Sequence, residues 1–551
     1  MTWAWSRRSV ACWGLAAGLV LCAAATVGSG QGMGAGNRVI SGVVMSAKTN
    51  HPLAEAQVTL SNSRPRKLMA EMTTDAEGRF SFAGLPDGKY ELHASHRGYV
   101  GSDFDAHDGG VFTAIVTGEG LISTDLQFRL EPMAVIYGTV VEDSGDPVPD
   151  AQISLYRKDD RSGTGKIVRA SGAHAGPLGK FEIPSLPPGK YYLCASGWPW
   201  YANHNAKKAS GDSRISLDVA YAITCYPGVN DSAASEAIVL AGGDRVQADV
   251  TMHAVPALHV PVAPQAGNGG IQMPQIQQEV FGFPESVPVT MSSSQSTNGD
   301  GSTSSRGELT GFPPGRYEVE MPGVNGEPSR LTTLDAASDS ASFDGGGAAP
   351  MAAVSGKVTL AAGEEAPGQL FVALVPREGD RAASVEVDKD GSFSMREVRP
   401  GEYDVLVSGS GIAMATTRLS AKGGVLHGHS LQVSSDPVEL TLTAVRAVAT
   451  VSGFAVRGGH GTPGVFVALL PLSENAGLEA RQPNQSDSDG SFYFPNVPAG
   501  EYLVIAIEDG WGLDWARREV MAKYMAKAVR VTVPAHAKEV TLPAAAEVQP
   551  K

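Results

Sequence analysis

His536 and Glu539 stand three residues apart, a spacing at which two side chains can hold one zinc ion. A working zinc site also needs a third protein ligand and an open position. Only twelve residues follow Glu539, none of them histidine, and the pair falls in a polar turn, so it reads as a chance match. The pairs His93/His96 and His427/His429 have no acidic or cysteine companion at ligand spacing and read as surface histidines. Gly409-Ser410-Gly411 lacks the strand, turn and helix that expose a nucleophilic serine. Three acidic turns, at Asp75, Asp388 and Asp487, offer carboxylates for calcium. Calcium takes six to eight oxygens, however, and aspartate in such a turn more often bonds its own backbone. No catalytic residue, metal site or cofactor is expected, and the chain does not read as an enzyme.

Two constellations remain. Trp198-Pro199-Trp200-Tyr201 follows an apolar strand, and Trp511 and Trp515 flank a short amphipathic stretch. Indole and phenol rings can stack on sugars, which makes Trp198, Trp200 and Tyr201 the glycan-stacking candidates. The plainer reading is that all these rings cap the ends of their own domains. Cys12 and Cys22 lie in an apolar leader, which leaves Cys194 and Cys225 as an even pair. Both sit in strand-like stretches that could neighbour one another. A disulfide is expected, with two separate buried thiols as the alternative.

The elements that must position these residues come from a repeat. Gly78-Arg79-Phe80-Ser81-Phe82 runs on through Leu85-Pro86-Asp87-Gly88-Lys89-Tyr90, and versions recur ending at Tyr191, Tyr403 and Tyr502. In these four copies the first aromatic precedes the tyrosine by ten residues, as Phe80, Phe181, Phe393 and Phe492. A fixed offset marks one folded unit used repeatedly. Phe80 and Phe82 share a strand face. Pro86 presets a turn, Gly88 is expected to supply an unusual backbone angle there, and the Tyr90 hydroxyl should bond backbone near the corner. Each sound unit opens on a strand with a central glycine (Gly42, Gly138, Gly356, Gly453) and closes on an alternating strand.

The layout is a leader at 1–30 and sandwiches at 38–130, 131–255, 256–345, 350–445 and 446–543. The third is degenerate: Gly307 stands where the others have phenylalanine, and Pro/Gln/Gly-rich and Ser-rich stretches adjoin it. A short helix should interrupt the fifth from Asp514. Linkers of about ten residues or fewer predict a semi-rigid row of domains.

Arg7-Arg8, an apolar run from 10 to 21 and the small residues Ala23-Ala24-Ala25 read as a cleavable export signal. The formal charge is −15, with no basic run after the leader, which argues against nucleic acid and anionic membrane surfaces as partners. No later segment is apolar for long enough to span a bilayer.

The glycine strand, Thr-Asp-x-x-Gly-x-Phe and Leu-Pro-x-Gly-x-Tyr together resemble the carboxypeptidase regulatory-like domain, a transthyretin-like or starch-binding-like β-sandwich. The resemblance covers most of the chain after the leader, and it implies an all-β tandem array of about five small antiparallel sandwiches. As a signature of fold it is specific, and of function it is weak. The resulting expectation is an exported, non-catalytic binding or scaffolding protein, in the periplasm, on the outer-membrane surface or outside the cell. Its expected partner is a glycan or an envelope protein. The rival readings are a structural spacer or adhesion protein, and an accessory subunit or cryptic hydrolase.

Overall fold

The structure, a computed structural model, describes residues 36–551 apart from 64–65, 108–109, 205–216, 263–272, 298–302, 324–326, 338–347, 366, 380–381 and 474. The leader at 1–30 lies outside the described residues, as do parts of the Pro/Gln/Gly-rich and Ser-rich stretches of the third unit.

The strands form five small sandwiches. In the first, Arg38–Ser46 lies between Arg79–Leu85 and Leu126–Leu130, while Gln57–Ser63 lies between Arg66–Thr73 and Gly88–Ser95. The alternating residues Ile40, Val44, Val58, Leu60, Phe80, Phe82, Tyr90 and Leu92 face inward and make the core. Burial of one face by each sheet is what the period-two patterning requires.

Apart from the parallel pairing of Ala546–Gln549 with Gly500–Ile507 and Ala449–Arg457 in the fifth unit, pairing within the sheets is antiparallel with one recurrent exception. In four units the closing strand runs parallel to the opening strand: Leu126–Leu130 on Arg38–Ser46, Val250–Met252 on Ala134–Glu142, Val438–Arg446 on Ala352–Leu360, and Glu539–Thr541 on Ala449–Arg457. This explains the central glycines. A Cβ on Gly42, Gly138 or Gly356 would lie 2.1–2.3 Å from a carbonyl oxygen of the closing segment. On the other side, Gly42 pairs with Phe80, Gly138 with Phe181, Gly356 with Phe393 and Gly453 with Phe492. The glycine therefore makes room for the aromatic ring that defines the repeat.

In the first unit the turn glycine behaves differently from the expectation, whereas its counterparts Gly189 and Gly401 have φ of 156° and 159°. Gly88 has no left-handed φ; a Cβ there would only touch the Tyr90 ring at 3.5 Å. The left-handed position is four residues earlier, at Gly84, Ser185, Gly311 and Asn496. In the second unit the pairing register slips at this point, between Ile183 and Leu186.

The tyrosine corner is present in all five units. The hydroxyls of Tyr90, Tyr191, Tyr317, Tyr403 and Tyr502 donate to the carbonyls of Pro86, Pro187, Pro313, Arg399 and Pro498 at 2.5–2.9 Å. The third sandwich keeps this corner but inverts the glycine–aromatic pair, with Val262 opposite Gly307. Its core also merges with the second sandwich: Tyr156, Cys194, Ile223 and Cys225 join Phe283, Phe312, Tyr317 and Val319 in one cluster.

The expected row of domains is not what forms. The first sandwich docks on the fifth, where Lys89 pairs with Asp487 at 2.6 Å. There the Ser488 N–H donates to the Ala114 carbonyl at 3.0 Å, and His107 stacks on Trp511 with centroids 4.3 Å apart. The second also reaches the fifth, through Lys158–Asp514 at 2.6 Å and the Trp515 ring lying over Gly163. Arg399 of the fourth holds Glu318 and Glu320 of the third. Short linkers limit distance, but they leave the angle between neighbours to the surfaces that meet, and here those surfaces close the chain on itself.

The predicted late helix is short. One α-helical turn, Arg518–Met521, continues as the 3-10 segment Ala522–Lys527, with Met521 and Tyr524 packed under Phe466 and Trp515. Among the described residues no helix is long and apolar enough to cross a membrane.

Candidate functional site

The loop after strand Gly189–Ser196 carries both candidate tryptophans. Gly197 starts it by packing on Val148, where a Cβ would meet Cγ1 at 3.1 Å. A turn closed by Ala202 N–H donating to the Pro199 carbonyl at 2.9 Å then sets the indoles outward. Trp198 is 43% exposed and Trp200 73%. Tyr201, the third candidate, is only half-buried but tied down. Its hydroxyl donates to Glu142 Oε2 at 2.8 Å and its ring meets Trp200 edge-on at 5.7 Å. The Tyr221 hydroxyl donates to the same oxygen at 2.6 Å.

Glu142 is therefore the anchor of the loop. Burial pushes its carboxyl up, but hydrogen bonds from Tyr221, Ser144 and Tyr201 outweigh burial and hold it below the usual carboxylate range. Burial, and then Glu142 itself, push the Tyr201 and Tyr221 phenols up, so both stay protonated donors. Sequence reading missed Glu142 because its partners lie 59 and 79 residues away, with no local signal.

Two more features brace the root of the loop. Cys194 and Cys225 face each other across paired strands Gly189–Ser196 and Thr224–Cys225, with sulfurs bonded at 2.06 Å. On the other flank Asp218 bridges His204 at 2.9 Å and His259 at 2.6 Å. Burial pulls His259 down, but Asp218 and Glu308 outweigh it and leave its pKa raised.

The remaining candidates are placed elsewhere. Trp515 is buried against Gly163, and Trp511 lies between His107 and Phe466, so both serve contacts between sandwiches and packing within the fifth, not ligand stacking. Asp75 Oδ1 accepts from the backbone N–H groups of Glu77 and Arg79, and Asp390 Oδ1 from that of Ser392, the Asx-turn geometry of ordinary turns. Asp487 instead faces the first sandwich. His536 is exposed and its neighbour is Glu364, at 3.9 Å, not Glu539. Among the described residues no group of three or more His, Cys, Asp or Glu is arranged to hold a metal.

Residues 39–117 match the family model of the carboxypeptidase regulatory-like domain. That stretch is most of the first sandwich. Its opening glycine strand, aromatic strand and tyrosine corner recur in the second, fourth and fifth sandwiches, so the chain is a tandem array of one plan. No curated protein matches the chain. Among solved structures it is similar to the TIE protein of Bacillus anthracis, at 16% identity over 56% of this chain and 50% of that one, with a TM-score of 0.17. This chain thus spans half the length of that protein. It is also similar to GBS52, the minor pilin of Streptococcus agalactiae, at 14% identity over 42% of this chain and 100% of that one, TM-score 0.21. The shaft pilin SpaA of Lactobacillus rhamnosus GG is 10% identical over 39% and 97%, TM-score 0.19. At such TM-scores these likenesses carry no argument about what the sandwiches do.

Proposed function

We propose that this chain is an exported, non-catalytic binding and scaffolding protein of the cell envelope, and that the loop bearing Trp198 and Trp200 recognises glycan. One observation carries the reading: two indoles are held exposed on a loop whose root is fixed by Glu142. An exposed tryptophan keeps a large apolar face in water, and anchoring it lowers the ordering cost of binding. The sandwiches are taken as 38–130, 131–255, 256–345, 350–445 and 446–543 behind a cleaved leader, with Cys194–Cys225 bridged outside the cytoplasm.

A glycan array probed with the wild-type chain and with Trp198→Ala/Trp200→Ala tests this. Binding by the first, lost in the second while melting temperature is unchanged, supports recognition. Absent or unaltered binding overturns it. The second reading, a structural spacer, is favoured by the closed packing of the five units, and it requires no ligand at the loop.

A further inference from the structure

Four of the five sandwiches meet around one cleft of about 1170 Å³. The second contributes the loop at 159–168, the third residues 279–282, the fourth residues 375–379, and the fifth its strand ends and short helix. Six cationic and five acidic side chains line it, in a chain whose acidic residues outnumber basic ones 58 to 43.

The cations are not equally engaged. Arg377 is held by Glu402 at 3.1 Å and Asp404 at 3.3 Å. Arg481 donates from Nη1 to the Ala516 carbonyl at 3.2 Å, but among the described residues it forms no ion pair, and neither does Arg161. Burial lowers the Arg481 pKa, Asp404 opposes that shift and the neighbouring Arg377 adds to it. Arg481 is half-buried, and the carboxylate that acts on it, Asp404, is already held by Arg377, so an anion in the cleft would offset part of its desolvation cost.

The apolar lining narrows the ligand class. The Phe281 ring packs against Tyr156 and Tyr192 at 5.2 and 5.1 Å, and the Trp515 ring lies on Gly163 and beside Phe466. No aromatic ring among those lining residues is left as a platform for a sugar. The rest of the apolar wall includes Ile167, Leu472, Leu478 and Met525, aliphatic groups suited to aliphatic side chains.

We propose that this cleft binds an acidic peptide segment, with carboxylates on Arg481 and Arg161 and aliphatic side chains on Leu472, Leu478 and Met525. The site is independent of the Trp198 loop. A peptide seated among four sandwiches would also favour their closed arrangement, by mass action.

The test is fluorescence anisotropy of the full chain with a labelled, N-acetylated hexapeptide of alternating Glu and Leu. The Lys/Leu hexapeptide and hexagalacturonate serve as comparisons. Expected are saturable binding of the Glu/Leu peptide that weakens as salt rises, and no binding of the Lys/Leu peptide. Affinity should fall about tenfold in Arg481→Met, the loss of one charge-assisted contact. Arg161→Gln, on an exposed side chain, should weaken binding in the same direction without touching the buried wall. Trp198→Ala/Trp200→Ala should leave it intact. Absent saturation, equal binding of the Lys/Leu peptide, tighter binding of hexagalacturonate, or unchanged affinity in both arginine variants would overturn the proposal.

Discussion

At the scale of single residues, the repeat is explained by three positions: the opening glycine, the aromatic opposite it and the corner tyrosine. The tyrosine hydroxyl closes each corner, and burial pushes the phenols of Tyr90, Tyr317, Tyr403 and Tyr502 up, so they remain donors throughout the ordinary pH range. Tyr502→Phe keeps the ring but leaves the Pro498 carbonyl without its partner, and should cost about 1 kcal/mol, read from calorimetric melting. The opening glycine is less tolerant. Gly138→Ala places a Cβ 2.3 Å from the Ala248 carbonyl oxygen and 3.1 Å from the Phe181 ring, so about 1–3 kcal/mol of destabilisation is expected in the same assay. Glu142 sets a pH dependence. Its folded pKa is depressed, so the stability it contributes is full above the unfolded carboxylate value of about 4.3 and is lost as pH falls through the lower folded value. Acid titration followed by tryptophan fluorescence should show a transition in that window that Glu142→Gln removes.

At the scale of elements, strands and corners were legible because they are local: alternation, a Pro-x-Gly turn and a fixed Phe-to-Tyr offset need only neighbouring residues. The parallel closing strand was not legible in its direction. Nothing within Leu126–Leu130 or Val438–Arg446 says which way its partner runs, and that partner lies over eighty residues upstream. The left-handed residues Ser185 and Asn496 were not legible either, because neither is the glycine that such a backbone angle favours. The short helix was foreseen, but its purpose was not. Trp515 packs against it and on Gly163 of another sandwich, so Trp515→Ala should cost about 3–5 kcal/mol and loosen the contact of the second and fifth units. Limited proteolysis at the 159–166 loop, compared with wild type, reads that loosening.

At the scale of the whole molecule, the first sandwich is clasped to the fifth by a pair buried on one side. Asp487 has only 6% of its side chain exposed; burial pushes its carboxyl up, and Lys89 opposes that shift. Removing Lys89 leaves a buried carboxylate without its cation, a loss of about 3–5 kcal/mol at the contact. Lys89→Ala should therefore raise the radius of gyration measured by small-angle scattering, while the double change Lys89→Ala/Asp487→Leu should restore much of the compact form. A radius unchanged by the single substitution would mean that the His107–Trp511 stack and the backbone bonds of Ser488 suffice. Periodicity and turn chemistry within about a hundred residues set the building block, its count and its inner face. Packing between sandwiches closes the row, draws Trp511 and Trp515 into that closure and leaves Trp198 and Trp200 outside it. Those outcomes depend on side chains that meet from hundreds of residues apart, where no pattern in the chain records the angle between two domains.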